Sequence, residues 1–443
     1  MATSLIERPP LPDGDWLVCG LARSGQAAAR VLSEKGFPVR AVDSASPEGA
    51  AGLAEWGVEV HLDAAGDDLV TASTILVKSP GVPKEAPVVR AAKELDAKVL
   101  GELELGWRLT DGQVTAVTGT NGKTTVTEMI GHLSRSSGRE CAVVGNVGRP
   151  ICDLVGKPEA HSSIVLEASS FQLEDASAFA PDVAVLLNIG SDHLDRHGTY
   201  EDYREAKLSM LDRQPEQAVA IVPGDMVGLE GRGRAQRLTF GKPESDVATI
   251  DGELTWHGEP FATVADVRLP GVHNLRNAEA ACAAAIASGV PIGSLAEGLR
   301  TFQGVPHRLE LVAERGGVRW YNDSKATNVD STLTALAAVQ GPVRLILGGQ
   351  GKGQDLTPLR AAVASQCASV HLIGESAGVL SELLSDSGVH TQIDDDLRLA
   401  VAACSRLARS GEAVLLSPAC ASFDQFSDFE DRGDSFRKLV REL

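Results

Sequence analysis

The sequence predicts an α/β protein with three domains, each built on an open and mostly parallel sheet. Apolar strands alternate with helical stretches along the chain, which is typical of parallel sheets covered by helices on both faces. The alternation begins anew near Val114 and again near residue 305. We therefore place the domains at 1–99, 100–304 and 305–443, because 443 residues are too many for one ordinary core.

The charge balance is acidic, with 60 Asp and Glu residues against 41 Lys and Arg residues and a net charge of −19. This balance opposes binding to nucleic acid or to an anionic membrane. Residues 1–14 contain no apolar stretch typical of a signal peptide, and no segment suits a membrane span. We expect a cytoplasmic monomer that acts on small molecules. The seven cysteines are scattered without a C-x-x-C pair, so most are expected to be small core residues.

The first domain opens with a strand at 15–19, a turn at 20–25 and a helix at 26–35. With an acidic residue ending the next strand at 39–43, this order is close to a dinucleotide-binding fingerprint. However, Ala22 occupies the position of the second glycine, where the backbone must approach the pyrophosphate closely. The pattern favours a nucleotide-like ligand over a nicotinamide cofactor.

A strand at 74–78 ends in a turn rich in proline and glycine at 79–83. Open α/β sheets bind their ligands at such carboxyl ends of strands. A helix at 85–96, a short strand at 99–100 and a helix at 102–110 then lead into the second domain.

A glycine-containing turn at 118–124 lies between an apolar strand and a helical segment at 126–133. This is the order of a phosphate-binding loop, whose backbone N–H groups and helix N-terminus suit a polyphosphate such as ATP. Lys123 is predicted to contact the β- and γ-phosphates, and Thr124 to hold Mg²⁺. Val117 replaces the first glycine of the usual motif, which leaves a plain surface turn as the alternative.

Polar side chains follow three further strands of the second domain, at 142–144, 163–166 and 183–187. Because parallel strands end at one edge of a sheet, these side chains are expected beside the phosphate loop. Hard oxygen ligands among them suit Mg²⁺. The side chains are Asn146, Glu167 and His193.

The rest of the second domain gives weaker signals. A helix at 200–211 carries Lys207, which on its spacing alone is a solvated lysine. Residues 217–270 are rich in β-forming residues and predict a small antiparallel attachment. An Ala-rich helix at 278–288 follows, and polar residues before it either cap it or contact a nucleotide. These residues are His273, Asn274 and Asn277.

Four strands of the third domain each end in a polar loop on one edge of an open α/β sheet. The loop at 348–353 has no Ser or Thr after Lys352, so we interpret it as an anion-binding turn. Together with Lys325 and the region of Ser422, it is expected to capture a substrate carboxylate. The strands lie at 319–323, 343–347, 369–373 and 413–417.

A series of short motifs, in order along essentially the whole chain, resembles the Mur ligase family. Such a series is far more specific than a phosphate loop alone. The motifs are Gly-Thr-Asn-Gly-Lys-Thr-Thr at 119–125, Glu-Ala-Ser-Ser-Phe-Gln-Leu-Glu at 167–174, Asp-His-Leu-Asp-Arg at 192–196, His-Asn-x-x-Asn at 273–277, His-Arg-Leu-Glu at 307–310, Asn-Asp-Ser-Lys-Ala-Thr-Asn at 322–328 and Ser-Pro-Ala-Cys-Ala-Ser-Phe-Asp-Gln-Phe at 417–426.

The resemblance implies an N-terminal Rossmann-like domain that binds a UDP-sugar, a central P-loop ATPase-like domain and a C-terminal Rossmann-like domain that receives an amino acid. The motifs are most similar to those of members that add D-glutamate to UDP-N-acetylmuramoyl-L-alanine in peptidoglycan precursor synthesis. In that family ATP phosphorylates the acceptor carboxylate, and the amine of the amino acid attacks the acyl phosphate. The implied cofactors are ATP and two Mg²⁺ ions.

The resemblance also implies roles for residues that match the family motifs. A carbamylated lysine is among them, because a carbamate provides the anionic oxygen that a bare lysine lacks. The implied catalytic residues are Lys123, Glu167, His193, Lys207 and Arg308, and the implied metal ligands are Thr124, Glu167, His193 and carbamylated Lys207. The implied ATP contacts are Gly119, Thr120, Asn121, Gly122, Lys123, Thr124, Thr125, Asn274, Asn277, Arg308 and Asp323. The implied UDP-substrate contacts are Arg23, Ser24, Ser44, Gly81, Asn146 and His193, and the implied D-glutamate contacts are Lys325, Thr327, Lys352, Ser422 and Phe429.

One position departs from the family pattern, because many relatives have Arg after position 44 and this chain has Ala45. A uracil or phosphate contact is then expected from elsewhere, such as Arg23. Another Mur-type or folylpolyglutamate-type ligase would share the ATP site, although the Asp-Asn-Pro-Arg tetrapeptide of diaminopimelate-adding relatives does not occur here. A non-ligase P-loop ATPase would explain Lys123 but not the C-terminal pocket.

Overall fold

The structure is a computed structural model that describes residue 4 and residues 6–190, 192, 194–269, 271–351 and 353–443. Two residues of the predicted sites, His193 and Lys352, lie outside these described residues. The chain forms two compact units. The first unit consists of Met1–Arg268 and His273–Phe302, and the second of Leu269–Val272 and Gln303–Leu443.

The first unit contains two sheets, and the N-terminal one is parallel throughout its described strands. These strands are β1 (Asp15–Cys19), β2 (Val39–Val42), β3 (Glu59–His61), β4 (Thr74–Lys78) and β5 (Lys98–Gly101). Their order is β3, β2, β1, β4, β5, so the chain crosses over in opposite directions on the two sides of β1. The crevice at the carboxyl ends of β1 and β4 is where open α/β sheets bind ligands. Helices α1 (Arg23–Glu34) and α2 (Pro87–Glu94) pack against this sheet.

The second sheet of this unit carries the phosphate loop. Its strands are β6 (Val114–Thr118), β7 (Cys141–Gly145), β8 (Ser163–Glu167), β9 (Val183–Leu186), β10 (Val219–Pro223), β11 (Gln236–Phe240), β12 (Val247–Ile250), β13 (Glu253–Trp256) and β14 (Glu259–Thr263). Across the described part of the chain the order is β14, β13, β12, β11, β10, β9, β6, β8, β7.

Most of this sheet is parallel, and the antiparallel pairing predicted for 217–270 is found only at the end of that segment. β10 pairs in parallel with β9, and β11 and β12 continue in the same direction. Only the pairs of β13 with β12 and with β14 are antiparallel. The segment therefore extends the main sheet, because the apolar strand β10 pairs directly with its neighbour β9.

Helices cover both faces of the second sheet. They are α3 (Glu102–Arg108), α4 (Lys123–Ser136), α5 (Ser170–Glu174), α6 (Leu194–His197), α7 (Tyr200–Asp212), α8 (Val272–Ala287) and α9 (Leu295–Thr301). α8 begins before its predicted start at Ala278, so Asn274 and Asn277 lie inside the helix and do not cap it. Both side chains are buried.

The second unit is built on one sheet with helices on both faces. Its strands are β15 (Glu310–Arg315), β16 (Val318–Asn322), β17 (Val343–Gly348), β18 (Cys367–Ile373), β19 (His390–Asp395) and β20 (Ala413–Leu416). Its helices are α10 (Val329–Ala338), α11 (Leu359–Gln366), α12 (Ala377–Leu384), α13 (Leu397–Leu407) and α14 (Phe429–Glu442).

The strand order in this sheet, for the residues described, is β15, β16, β20, β17, β18, β19. β15 is antiparallel to β16, and the remaining pairs are parallel. The loops that follow β16, β20 and β17 therefore emerge side by side at one edge. The predicted α/β class with mostly parallel sheets is confirmed.

Five of the seven cysteines are buried and two are half-buried, and all seven are free thiols. No helix in the described part of the chain has the length and hydrophobicity needed to span a membrane.

Candidate active site

The phosphate loop joins β6 to α4 and turns sharply at Gly122, the residue before the helix. Gly122 has φ +85°, in the left-handed region that glycine adopts without strain. A Cβ at this position would lie 2.6 Å from Oδ1 of Asn277 on α8. Nζ of Lys123 donates hydrogen bonds of 2.9 Å to the carbonyl oxygens of Gly119 and Thr120. The ammonium group of Lys123 thus lies against the loop that is predicted to bind the phosphates of ATP.

Replacing Gly122 by alanine is expected to lower the midpoint of thermal unfolding more than the same change at Gly138. Both glycines have positive φ, +85° and +81°, where a Cβ costs roughly 1–2 kcal/mol. Only at Gly122 would the added Cβ also clash with Asn277, since no described atom lies within 4 Å of a Cβ at Gly138. We expect G122A to weaken binding of an ATP analogue by about tenfold or more, and G138A to leave it unchanged. Equal effects of the two variants on both measurements would contradict this account.

Asn188 holds the phosphate loop from the end of β9, a role that was not predicted from the sequence. Its Oδ1 accepts a 2.9 Å hydrogen bond from the backbone N–H of Asn121, and its Nδ2 donates a 3.0 Å bond to the Asn121 carbonyl. The hydroxyl groups of Thr120 and Tyr203 lie 3.0 Å apart, and the N–H of Gly190 donates to the same Thr120 hydroxyl. Asn188 follows a predicted strand, so the strand-end rule that selected Glu167 could have found it.

Glu167 ends β8 beside the loop and is 3% exposed. Its Oε1 accepts a 3.0 Å hydrogen bond from Nδ2 of Asn146, which places the two predicted residues together. Within the described residues, Oε2 of Glu167 is buried and has no hydrogen-bond partner. A buried carboxylate oxygen of this kind suits a hard cation. No group of three or more His, Cys, Asp or Glu side chains in the described ranges is arranged to hold a metal ion, and His193 lies outside them.

Lys207 is not the solvated lysine that its spacing alone predicts, because its side chain is buried and 1% exposed. Its Nζ donates a 2.8 Å hydrogen bond to the carbonyl oxygen of Gly119 and lies 4.6 Å from the ring centroid of Tyr203. Burial, and then the charge of Lys123, lower the pKa of the Lys207 ammonium group to about 7. A large fraction of this amine is therefore neutral near pH 7.

A cavity of about 760 Å³ opens at the carboxyl ends of β1, β2 and β4. It lies at the crevice that the strand order predicts. The residues that line it include Arg23, which was expected to compensate for Ala45. All the described residues predicted to contact the UDP-substrate line this cavity: Arg23, Ser24, Ser44, Gly81 and Asn146.

Arg196 on α6 supports one wall of this cavity, a role that was not predicted from the sequence. Its Nη2 donates hydrogen bonds of 2.9 and 3.1 Å to the carbonyl oxygens of Pro80 and Val82, in the turn that follows β4. Its guanidinium carbon lies 4.0 Å from the ring centroid of Phe171 on α5. Arg196 therefore fixes the turn against the helices next to the phosphate loop.

The two predicted asparagines of α8 lie together at the phosphate loop. Nδ2 of Asn277 donates a 3.2 Å hydrogen bond to Oδ1 of Asn274. The position of Asn277 against Gly122 brings this pair to the turn from which α4 begins.

In the second unit, Asp323 lies directly after β16 and is buried. Its carboxylate accepts a 2.7 Å hydrogen bond from the Ser417 hydroxyl and a 3.0 Å bond from the Leu309 N–H. Burial outweighs these bonds and the charge of Arg308, and raises the pKa of Asp323 to about 7. Among the described residues, Nε of Arg308 is buried without a hydrogen-bond partner.

The described residues predicted to bind D-glutamate lie in this same unit, on the loops after β16 and β20 and at the start of α14. Nζ of Lys325 lies 5.5 Å from the ring centroid of Phe429. Ser422 is buried, and Thr327 is half-buried. Backbone hydrogen bonds of 2.9 and 3.1 Å pair Gln350 with Ala421, which joins the loops after β17 and β20. Lys352 lies outside the described residues.

Three family models match the chain in the order of its sheets. They are the Mur ligase MurD-like N-terminal domain at residues 14–101, the Mur ligase middle domain at 117–285 and the Mur ligase glutamate ligase domain at 307–420. The chain belongs to the Mur ligase family. The resemblance inferred from the sequence motifs is therefore confirmed.

Curated Mur ligases align with nearly all of the chain. The UDP-N-acetylmuramoylalanine–D-glutamate ligase of Pelotomaculum thermopropionicum is 41% identical over 96% of this chain and 97% of its own length. The enzymes of the same name from Gloeobacter violaceus and Caldanaerobacter subterraneus are 41% and 36% identical, each over 96% of this chain and 98% of its own length.

Solved Mur ligase structures share the fold at low identity. The UDP-N-acetylmuramate–alanine ligase of Thermotoga maritima has a TM-score of 0.62 at 17% identity, over 97% of this chain and 100% of its own. A MurF ligase of the same organism, solved in complex with ADP, has a TM-score of 0.57 at 19% identity, over 92% and 96%.

Proposed function

We propose that this Mur ligase joins D-glutamate to UDP-N-acetylmuramoyl-L-alanine, with hydrolysis of ATP to ADP and phosphate, as a step of peptidoglycan precursor synthesis. The observation that carries the proposal is the identity of 36–41% over 96% of the chain with D-glutamate ligases. We further propose that the enzyme is a cytoplasmic monomer.

The reaction needs an activated carboxylate, because a free carboxylate has no leaving group for amide formation. An oxygen of the acceptor's alanine carboxylate attacks the γ-phosphorus of ATP, and the bond from that phosphorus to the bridging oxygen breaks to release ADP. The amine of D-glutamate then attacks the acyl carbon. The resulting tetrahedral intermediate expels phosphate, and the nitrogen loses a proton. Positioning and charge stabilisation supply most of the catalysis in such phosphoryl transfer.

For the phosphate donor, we propose contacts from the loop residues Gly119, Thr120, Asn121, Gly122, Lys123, Thr124 and Thr125. The ammonium group of Lys123 already lies against the loop carbonyls and would exchange them for phosphate oxygens. Asn274 and Asn277 at the loop, with Arg308 and Asp323 in the second unit, complete the proposed ATP contacts. Arg308 would also neutralise the transferring phosphoryl group.

One observation supports a magnesium site. Oε2 of Glu167 is buried and has no hydrogen-bond partner among the described residues. Thr124, Glu167, His193 and carbamylated Lys207 are the residues that we propose to hold two Mg²⁺ ions. Bound Mg²⁺ would neutralise the charge that develops on the phosphoryl oxygens. The buried amine of Lys207, with its pKa of about 7, suits carbamylation because the neutral amine is the form that reacts with CO₂.

We also propose where the UDP-sugar and D-glutamate bind. The 760 Å³ cavity of the first unit would receive the UDP-sugar, with His193 as a further contact. Lys325, Thr327, Lys352, Ser422 and Phe429 in the second unit would receive D-glutamate. Lysine side chains there suit its carboxylates.

ADP release is expected only when UDP-N-acetylmuramoyl-L-alanine, D-glutamate and Mg²⁺ are present together with ATP. A coupled assay that compares D-glutamate with L-glutamate, L-lysine and diaminopimelate tests this expectation. Equal turnover with all four amino acids would exclude the assignment, and turnover with a different one alone would indicate another Mur-type ligase. ADP release without any acceptor would indicate a simple ATPase.

A further inference from the structure

Three loops of the second unit meet at one buried side chain, that of Arg432. The loops follow β16, β20 and β17, which are adjacent in the sheet, and they carry most of the proposed D-glutamate contacts. Arg432 lies on α14, and its side chain is 1% exposed. Phe429, another of the proposed contacts, begins the same helix.

Arg432 bonds the first two loops to each other. Its Nε donates a 2.9 Å hydrogen bond to Oγ of Ser324, and its Nη2 donates a 2.8 Å bond to the Ser324 carbonyl. Nη1 donates to the carbonyls of Cys420 and Ala421, and Nη2 also donates to that of Cys420, each at 3.2 Å. A guanidinium group has five N–H donors, and here neutral oxygen atoms accept all five hydrogen bonds.

The loop after β17 packs against the same guanidinium group through Gly349. A Cβ at Gly349 would lie 3.2 Å from Nη1 of Arg432 and 2.2 Å from the carbonyl oxygen of Ala421. Gly349 has φ +136°, which L-residues with a Cβ rarely adopt. Ser324 extends the network to the helix, because its hydroxyl donates a 2.8 Å hydrogen bond to the carbonyl of Phe429.

Arg432 is a buried cation next to the loops of the proposed amino-acid pocket. Burial lowers the pKa of Arg432 to about 10, so the group remains a cation at neutral pH. Its hydrogen bonds go to neutral oxygens, and the nearby carboxylate of Asp424 offsets part of its charge. A buried cation in a region of low dielectric attracts an anion more strongly than a solvated one does.

We propose that Arg432 is a positioning residue of the amino-acid pocket, which holds the three loops in the arrangement that receives D-glutamate and adds its positive charge to that pocket. The proposal rests on the proposed function for the identity of the amino acid. Arg432 touches the loops and not the substrate, so it acts through the residues that these loops carry.

The test compares R432K with R344K. Arg344 on β17 is a second buried arginine of the same unit, and it bonds Glu412 and Ser369 away from the three loops. Both changes remove buried guanidinium bonds, so both are expected to lower the midpoint of thermal unfolding. Only R432K is expected to raise KM for D-glutamate, by about tenfold, which corresponds to about 1.4 kcal/mol. KM for ATP and for the UDP-acceptor should stay within about twofold of wild type in both variants.

Hydrogen–deuterium exchange gives a second measurement that needs no turnover. In R432K, amide exchange in residues 323–328, 348–353 and 419–422 is expected to accelerate at least about threefold relative to R344K. Unchanged exchange together with an unchanged KM for D-glutamate would overturn the proposal. If wild-type enzyme shows no D-glutamate-dependent turnover, the proposed function fails, and the exchange result alone decides whether Arg432 positions the loops.

A milder variant covers the case in which R432K does not fold. S324A removes one acceptor of Arg432 and the hydrogen bond to Phe429 but leaves the guanidinium group in place. We expect it to raise KM for D-glutamate about threefold and to accelerate exchange in residues 323–328. Wild-type values in both measurements would count against the network.

Discussion

Replacing Lys207 by alanine is expected to reduce the rate of ADP formation by roughly two to three orders of magnitude. The substitution removes the side chain that we propose to carry a carbamate ligand for Mg²⁺. In carbamate formation, the amine nitrogen bonds to the carbon of CO₂ and loses a proton, and one CO₂ oxygen becomes the anion. The burial that lowers the pKa of Lys207 to about 7 makes the neutral amine available for this reaction at physiological pH. The rate is measured with saturating substrates and Mg²⁺.

The control for this prediction is K207M, which fills the same space without an amine. A short carboxylic acid should partly restore K207A, because the truncated side chain leaves room for a carboxylate near Gly119. The same acid should not restore K207M. Full activity of K207A, or an equal response of both variants to the acid, would contradict the carbamate.

Replacing Glu167 by glutamine is expected to raise the Mg²⁺ concentration needed for half-maximal activity by roughly 10- to 100-fold. Glutamine has the same shape, and its carbonyl oxygen can still accept the hydrogen bond from Asn146. Its amide nitrogen would then lie where the orphaned Oε2 lies, and an N–H donor repels a cation. The experiment is a Mg²⁺ titration of ADP release, with thermal unfolding to show that the fold is intact.

The matched control is E174Q, seven residues further along the chain. The Glu174 side chain is 45% exposed at the end of α5, so its loss should leave the Mg²⁺ dependence unchanged. If E167Q titrates like wild type, Glu167 does not hold the metal. If E174Q shows the same shift as E167Q, the effect is one of general charge and not of ligation.

Strands bounded by strong turn signals could be predicted closely from the sequence. β1 and β4 have the predicted limits, because short apolar runs end at a glycine or at a turn rich in proline and glycine. β19 was missed, since its sequence is mostly polar and only one of its residues is buried. The start of α8 was placed too late, because its polar first turns were interpreted as residues before the helix that either cap it or contact a nucleotide.

The residues of the candidate site likewise divide into those that could be predicted from the sequence and those that could not. The strand-end rule selected Asn146 and Glu167, which the structure brings into hydrogen-bond contact. Arg196 and Arg432 could not be assigned roles, because they bond backbone carbonyls far away in the sequence, Arg196 those of Pro80 and Val82 and Arg432 that of Ser324. Such contacts leave no local pattern. The burial of Lys207 could not be predicted from the sequence either, because its side chain packs against a loop 88 residues earlier.

The antiparallel end of the nine-stranded sheet has a consequence for solubility. β14 is the terminal strand of the described sheet and pairs with β13 alone, so one side of its backbone pairs with no further strand of that sheet. Pro260 within it has no N–H to donate, and the adjacent Glu259 places an exposed charge on the strand. Both features discourage edge-to-edge pairing. The same short strand that completes the sheet thus protects the protein from aggregation at that edge.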